Sequence, residues 1–371
     1  MVSIFFNKVR PIGLDIGSNS VKLIQLAFAG DRIKVAAGEE VHIPRTGNNA
    51  VSRDQLIIDA IKHVISKGHF KGREVVSCLS NEQVQIRNFR IDASDHKEIE
   101  NNIFKEADSK FGINRDKYDI NYMISGNIRQ GSELKHEIIL FSAARQIINN
   151  HIDLIEKAGL IPIAIDNVPC ALFRCFLRSL RRQEDNEQVS IFVDIGSTFT
   201  TLIIAKGNEL CFVKQIPIGG DMLNAKVASK LDITAEEAGL MRNRLMGQEN
   251  NAGLDDSTRL VMNDAMSSVI EQLTREISLC FKYFTVTFRG NKPDKAYCTG
   301  GEAYERLIME SLNNHLSLEV EQAKPLRGMD IGAVALLEDK RDSYCEWAVP
   351  VGLSLKGINL NTYGNETDER N

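Results

Sequence analysis

Two short stretches of this chain carry an acid, a glycine and a hydroxyl in the same order. The first is Asp15-Ile16-Gly17-Ser18, followed by Asn19 and Ser20; the second is Asp194-Ile195-Gly196-Ser197, followed by Thr198. A glycine in a turn lets the backbone approach a ligand closely and adopt φ > 0. Successive turn amides can then point at phosphate oxygens, with the hydroxyls of Ser18, Ser20, Ser197 and Thr198 adding hydrogen bonds. An aspartate repels a phosphate, so it makes chemical sense there with a Mg²⁺ between them, held mostly through waters. Two such turns facing each other would grip a triphosphate from both sides. One copy alone suits a plain β-hairpin turn equally well. The doubling in equivalent contexts carries the signal.

Both turns sit between apolar runs that read as strands, Ile12–Leu26 and Ile191–Ile204. The spacing is far too long for a solenoid period and indicates two domains on one plan. After the first hairpin, Arg32–Val41 reads as a strand, Asp54–Lys67 as a helix and Glu74–Leu79 as a buried strand. After the second, Glu209–Ile216 reads as a strand, Gly219-Gly220 opens a helix over Asp221–Ser229, and a further helix runs through Thr234–Arg244. Asp264–Phe284 carries the apolar stripe of a long core helix. Lys295–Cys298 leads into Gly300-Gly301 and a helix over Ala303–His315; glycines there would let a purine lie flat on the backbone. Trp347–Leu355 reads as helix or strand.

The stretch 82–160 has its own β-α-β-β-α pattern: strand Val84–Ile91, a helix opened by a capping box at Asp95 and Glu98, strands Asp119–Ser125 and Glu137–Ser142 around a polar turn at Gln130-Gly131-Ser132, and helix Ile147–Ala158. The expected domains are 1–81 (first domain), 82–160 (insert), 161–188 (rest of the first domain and an exposed link at 181–187), 189–360 (second domain) and a polar tail, 361–371.

Composition narrows the function classes. The net charge of −5 over 371 residues argues against a broad basic face for nucleic acid. No apolar run reaches the ~18–20 residues of a membrane span, and the start of the chain lacks a secretory pattern, which points to the cytosol. The seven cysteines show no CxxC spacing and read as reduced, packed thiols. Arg174, Arg178, Arg181 and Arg182 read as a solvated basic helix end.

The order of the two Asp-x-Gly hairpins and the later Gly-Gly before a helix resembles the actin, Hsp70 and sugar-kinase superfamily. Within it the chain is similar to the type IV pilus assembly PilM family, itself similar to the cell-division protein FtsA. The likeness rests on Gly13–Ser18 with Val21-Lys22, Leu154–Asp166, Val193–Thr201, Ile216–Gly220 and Trp347–Leu355, within about 10 to 360. It implies an α/β, actin-like (ribonuclease H-like) pair of duplicated domains around a nucleotide cleft, with 82–160 as the small inserted subdomain. It implies ATP and Mg²⁺ as cofactors. The nucleotide would be bound by Asp15, Gly17, Ser18, Asn19, Ser20, Lys22, Asp194, Gly196, Ser197, Thr198, Gly219, Gly220, Arg242, Gly300 and Gly301, and the metal by Asp15 and Asp194 through water. It implies a scaffold at the cytoplasmic face of the inner membrane. Such a scaffold grips the N-terminal peptide of a PilN-like membrane partner and meets other pilus platform proteins, with membrane contact only through the partner. Strand Val84–Ile91 and helix Glu98–Ala107 are the candidates to border the peptide groove.

The chain departs from the family at one motif. An Ala-Glu-x-x-Lys pattern, whose acid and base meet the ribose, reads here Ala238-Gly239-Leu240-Met241-Arg242. Glu236 or Glu237 is the nearest substitute acid. For hydrolysis, Asp166 and Asn167 are the candidates to orient water, while both also suit an N-cap for helix Val168–Leu177. Slow or absent hydrolysis is the expectation. Two other readings remain: an ATP-dependent small-molecule kinase of the same superfamily, and an FtsA-like polymerising cytoskeletal protein.

Overall fold

The computed structural model describes residues 9–30, 32–44, 51–92, 96–130, 133–178, 188–246, 255–288, 293, 295–316, 318–332 and 343–356. In chain order, β1 (Val9–Ile16), β2 (Ser20–Ala29) and β3 (Arg32–His42) precede α1 (Arg53–Ser66) and β4 (Glu74–Leu79). Then come β5 (Gln85–Asp92), α2 (His96–Phe111), β6 (Tyr118–Gln130), β7 (Glu133–Ala144), α3 (Arg145–Lys157), β8 (Ile161–Asn167) and α4 (Val168–Leu177). The chain continues with β9 (Val189–Ile195), β10 (Thr200–Lys206), β11 (Glu209–Ile216), α5 (Gly220–Leu231), α6 (Ala235–Met246) and α7 (Asp256–Phe288). It ends with β12 (Lys295–Thr299), α8 (Arg306–Leu316), β13 (Glu319–Gln322) and α9 (Ala348–Ser354). The predicted capping residue Asp95, the turn tip at 131–132, the link at 181–187 and the tail at 361–371 lie outside the described residues.

Two compact units result. One comprises Met1–Ser80, Asn149–Arg181 and Lys324–Asn371, the other Asn81–Ile148 and Arg182–Ala323. The sheet of the first unit has the order β3-β2-β1-β4-β8. Tight turns make β1, β2 and β3 antiparallel neighbours, while β4 and β8 return through helices and run parallel to β1. Helix α1 buries Ile57, Ile61 and Val64 in one core with Ile12, Leu14, Leu23 and Val75 of the sheet. Helices α4 and α9 contribute Val168, Ala171, Val349 and Leu353 to a second core with Val76 and Cys78 of β4. With apolar partners on both faces, β4 reads as a continuous buried run rather than an alternating one.

Helix α9 settles the ambiguity of Trp347–Leu355 and belongs to the first unit, whereas the sequence reading placed it in the second domain, 189–360. Two glycines explain the location. A Cβ on Gly13 of β1 would lie 2.1 Å from the Pro350 carbonyl oxygen, and one on Gly352 would lie 1.8 Å from that of Ala171. Backbone thus meets backbone, a contact no other residue type permits. Ser354 adds polar ties, donating to the Pro11 carbonyl at 2.8 Å and accepting from the Leu26 amide at 3.2 Å. Helix α3, read as the end of the insert, likewise buries Ile155 in the first unit's core.

The second unit repeats the plan. Its larger sheet has the order β11-β10-β9-β12-β13, with the same antiparallel and parallel relations. Helix α7 packs on α5 and α8 and buries Met262, Met266, Ile270, Leu273, Ile277 and Phe284. It starts earlier and ends later than its predicted span. The insert is a three-stranded antiparallel sheet, β5-β7-β6, carrying α2 on one face. Phe89, Ile91, Ile99, Ile103, Ile138 and Leu140 form its core. Asn88 of β5 donates to the Val213 carbonyl of β11 at 2.8 Å. Buried Glu137 accepts from Arg90 at 2.8 Å and from Tyr283 of α7 at 3.2 Å.

Candidate functional site

The first acidic turn closes with the Gly17 amide donating to the Ser20 carbonyl at 2.9 Å, and the second with the Gly196 amide donating to the Phe199 carbonyl at 2.9 Å. A Cβ on either glycine would meet the accepting oxygen at 3.1 Å. The two hairpins thus have one backbone geometry. Gly17, Ser18 and Asn19 are half-buried, and the Asn19 carbonyl accepts from the Ile43 amide at 2.8 Å. Gly196, Ser197 and Thr198 are also half-buried.

A charged network surrounds the first turn. Asp15 lies opposite Lys22 in the β1–β2 ladder. Lys22 donates to Ser20 Oγ at 2.8 Å and pairs with Glu40 at 3.0 Å. Burial raises the Asp15 carboxyl above its ordinary range; Lys22 opposes that shift and Glu40 adds to it. Burial also opposes charge on Lys22, but Glu40 and Asp15 outweigh it and hold the ammonium above its usual value. Glu40 was not foreseen. It stands on β3 directly across from Lys22, so the signal was a cross-strand charge pair.

Arg53 was also not foreseen. It donates to the Gly17 and Ser18 carbonyls, each at 2.8 Å. At the second turn, the amides of Gly220 and Asp221 donate to the Gly196 and Ser197 carbonyls at 3.0 and 2.8 Å. A Cβ on Gly219 would lie 2.5 Å from both carbonyl oxygens, which is why glycine precedes this helix. Gly300 adopts φ 87°. A Cβ there would lie 2.4 Å from the Ile195 carbonyl oxygen and 2.8 Å from Asp194 Oδ1, whereas a Cβ on exposed Gly301 would meet nothing within 4 Å. The Asp194 turn, Gly219-Gly220 and Gly300-Gly301 are therefore brought together within the second unit.

Arg242 is 1% exposed. Its guanidinium donates to Asn224 Oδ1 at 2.8 Å, to the Gly220 carbonyl at 3.2 Å, to Glu302 at 2.5 Å and to Glu305 at 3.4 Å. Burial raises the Glu302 carboxyl, Arg242 opposes that shift, and Glu305 and Asp221 reinforce it. A Cβ on Gly220 would fall 1.9 Å from Glu302 Oε1, and one on Gly239 would fall 3.2 Å from Asn224 Nδ2. Glu237, a possible substitute acid, instead closes a capping box on α6: it accepts from the Thr234 amide at 2.8 Å while its own amide donates to Thr234 Oγ1 at 3.2 Å.

Asp166 is buried. It accepts from Arg174 at 2.9 Å, from Lys356 at 3.0 Å and from the Asn167 amide at 2.9 Å. Asn167 accepts from the Cys170 amide at 2.9 Å and caps α4. Arg174 corrects the reading of a solvated basic helix end: it is half-buried and also donates to the Gly352 carbonyl at 2.9 Å. Arg178 donates to the Arg327 carbonyl, and Arg181 and Arg182 lie outside the described residues. Six of the seven cysteines are buried. Burial pushes the Cys175 thiol up to about 12 and that of Cys170 up to about 11.

The fit to a magnesium nucleotide divides by position. The two tight turns, with carbonyls fastened behind them, suit phosphate, and Gly301 faces open space a purine could use. The place beside Gly220 and Arg242 does not suit a ribose as it stands, because the Glu302 carboxylate lies there.

A family model described as type IV pilus assembly protein PilM matches residues 13–358. The solved structure titled PilM-PilN type IV pilus biogenesis complex superimposes with a TM-score of 0.77 at 20% identity, covering 94% of this chain and 98% of that one. Ethanolamine utilization protein EutJ from Carboxydothermus hydrogenoformans superimposes with a TM-score of 0.55 at 16% identity, covering 96% and 93%. Cell division protein FtsA of Bacillus subtilis (strain 168) is 26% identical over 115 residues, which is 31% of this chain and 25% of that protein. The chain thus spans about a quarter of that curated relative.

Proposed function

The chain belongs to the type IV pilus assembly protein PilM family, and from that premise we propose that it is an assembly scaffold of a pilus inner-membrane platform. Its fold is the actin-like one, two sheets of identical strand order with an added three-stranded sheet. The observation that carries the reading is the extent of the family match, which runs through both large sheets and the insert. The proposed partner is a PilN-like membrane protein presenting its N-terminal peptide; support comes from the solved complex of that name. No helix among the described residues is long and apolar enough to cross a membrane. The proposed location, at the cytoplasmic side of the inner membrane and held there by the partner, goes with the PilN-like partner of the same reading.

ATP with Mg²⁺ is the proposed cofactor, each acidic turn being the phosphate-binding candidate of its own unit. When bound, the Mg²⁺ would supply the positive charge that an acidic-turn carboxylate needs beside a phosphate. The chain's own residues hold the turns: Arg53 fastens the first from behind, and the Gly220 and Asp221 amides fasten the second. Asp166 and Asn167 serve the start of α4 in this reading, which goes with slow or absent hydrolysis. The test is titration of a labelled N-terminal peptide of the genome's own PilN-like protein, followed by fluorescence anisotropy. Saturable binding, lost with a scrambled peptide, is the expected result; no binding with or without Mg-ATP would overturn the scaffold reading.

A further inference from the structure

Arg242, Asn224 and Glu302 meet around the opening turn of α5. Glu302 directly follows Gly300-Gly301, the glycine pair read as the purine platform. Asn224 fills the space next to Gly239 and accepts from Arg242. Arg242 in turn reaches Glu302 at 2.5 Å. The side chains of Arg242 and Glu302 are only 2% and 13% exposed. A guanidinium this deeply buried needs a carboxylate, since leaving it without one would cost several kcal/mol. The pair is therefore a self-satisfied unit requiring no ligand.

The position of Glu302 matters more than its partner. Its Oε1 lies 1.9 Å from where a Cβ of residue 220 would be, at the opening turn of α5. Glu305 and Asp221 both add negative charge at Glu302, and Glu305 also reaches Arg242 at 3.4 Å, an environment that disfavours bringing in a further anion.

We infer that Glu302 is an internal plug of the nucleoside pocket, an autoinhibitory contact that holds Arg242 in the place of a ribose and must withdraw before a nucleotide can seat. This rests on the reading of the second unit as the nucleoside-binding half. Withdrawal does not strand Arg242, because Glu305, Asn224 and the Gly220 carbonyl remain within its reach.

The experiment is calorimetric titration of the full chain with Mg-ATP and with Mg-ADP, comparing wild type, Glu302→Gly and Glu302→Gln. Thermal unfolding of each protein without nucleotide checks folding. Glu302→Gly is expected to bind about tenfold or more tightly than wild type, the size of one charge-assisted contact no longer displaced. Glu302→Gln, with shape kept and charge removed, falls between them. Equal affinity of all three overturns the plug and leaves the nucleotide reading standing. Weaker binding by Glu302→Gly makes Glu302 a ligand and overturns the plug. No binding by any folded variant overturns the plug and the nucleotide reading together, while the peptide titration still tests the scaffold.

Discussion

Arg53 and Gly220 are the first residues of corresponding helices, and each donates to a glycine carbonyl of the acidic turn in its own unit. In the first unit one side chain reaches both turn carbonyls. In the second, two backbone amides do the same work, made possible by glycine at 219 and 220. The duplication thus preserves an interaction while changing the atoms that make it.

Removing the side-chain version should loosen the first turn alone. Arg53→Ala is expected to cost about 1 kcal/mol in urea unfolding, since the residue is only part-buried and its bonds are charge-assisted. Amide exchange at Gly17 should quicken in the variant while that at Gly196 stays as in wild type. Equal change at both turns would refute this assignment.

The glycines divide into those that admit a side chain and those that do not. Gly219→Ala drives a Cβ into two backbone carbonyls that cannot turn aside and should cost about 2–3 kcal/mol. Gly352→Ala faces the Ala171 carbonyl at 1.8 Å and should be at least as damaging. Gly301→Ala meets open space and should stay within about 0.5 kcal/mol of wild type. Chemical denaturation of the three variants checks the order.

His151 sits on α3 with Nε2 3.0 Å from Ser77 Oγ, and Ser77 donates to the Leu14 carbonyl at 3.0 Å. Burial lowers its pKa from 6.5 to about 4. The unfolded chain therefore takes up the proton first as pH falls. Stability is unaffected by this group above pH 6.5, declines between 6.5 and 4, and levels off below. Between pH 7 and 5 the loss should be about 2 kcal/mol. Urea unfolding at both values should show it in wild type, and His151→Gln should remove that share of the pH dependence.

Asp166 offers a test between structure and chemistry. Its carboxylate holds Arg174 and Lys356 together in a site where its own side chain is 5% exposed. Asp166→Asn should cost about 2–3 kcal/mol because it leaves two cations without their counter-charge. Unchanged stability in denaturant, with a loss of any ATP turnover, would assign the residue to catalysis instead.

Much of this was readable from the chain alone. The duplicated Asp-Ile-Gly-Ser turns announced the two-unit plan, and β4 and β11 fell at their predicted bounds, Glu74–Leu79 and Glu209–Ile216. Turns and strands of this kind are written in short windows, through periodicity and the conformational needs of glycine. What a window cannot hold is a meeting of distant residues. That α9 enters the first unit follows from Gly13 and Gly352 touching carbonyls far away in sequence. That Arg53 fastens the first turn depends on where α1 packs. That Glu302 reaches Arg242 depends on two helices and a strand end converging in the second unit. Side chains separated by dozens of residues find each other only when the sheets and cores bring their backbones together, and at those points packing chose the partner.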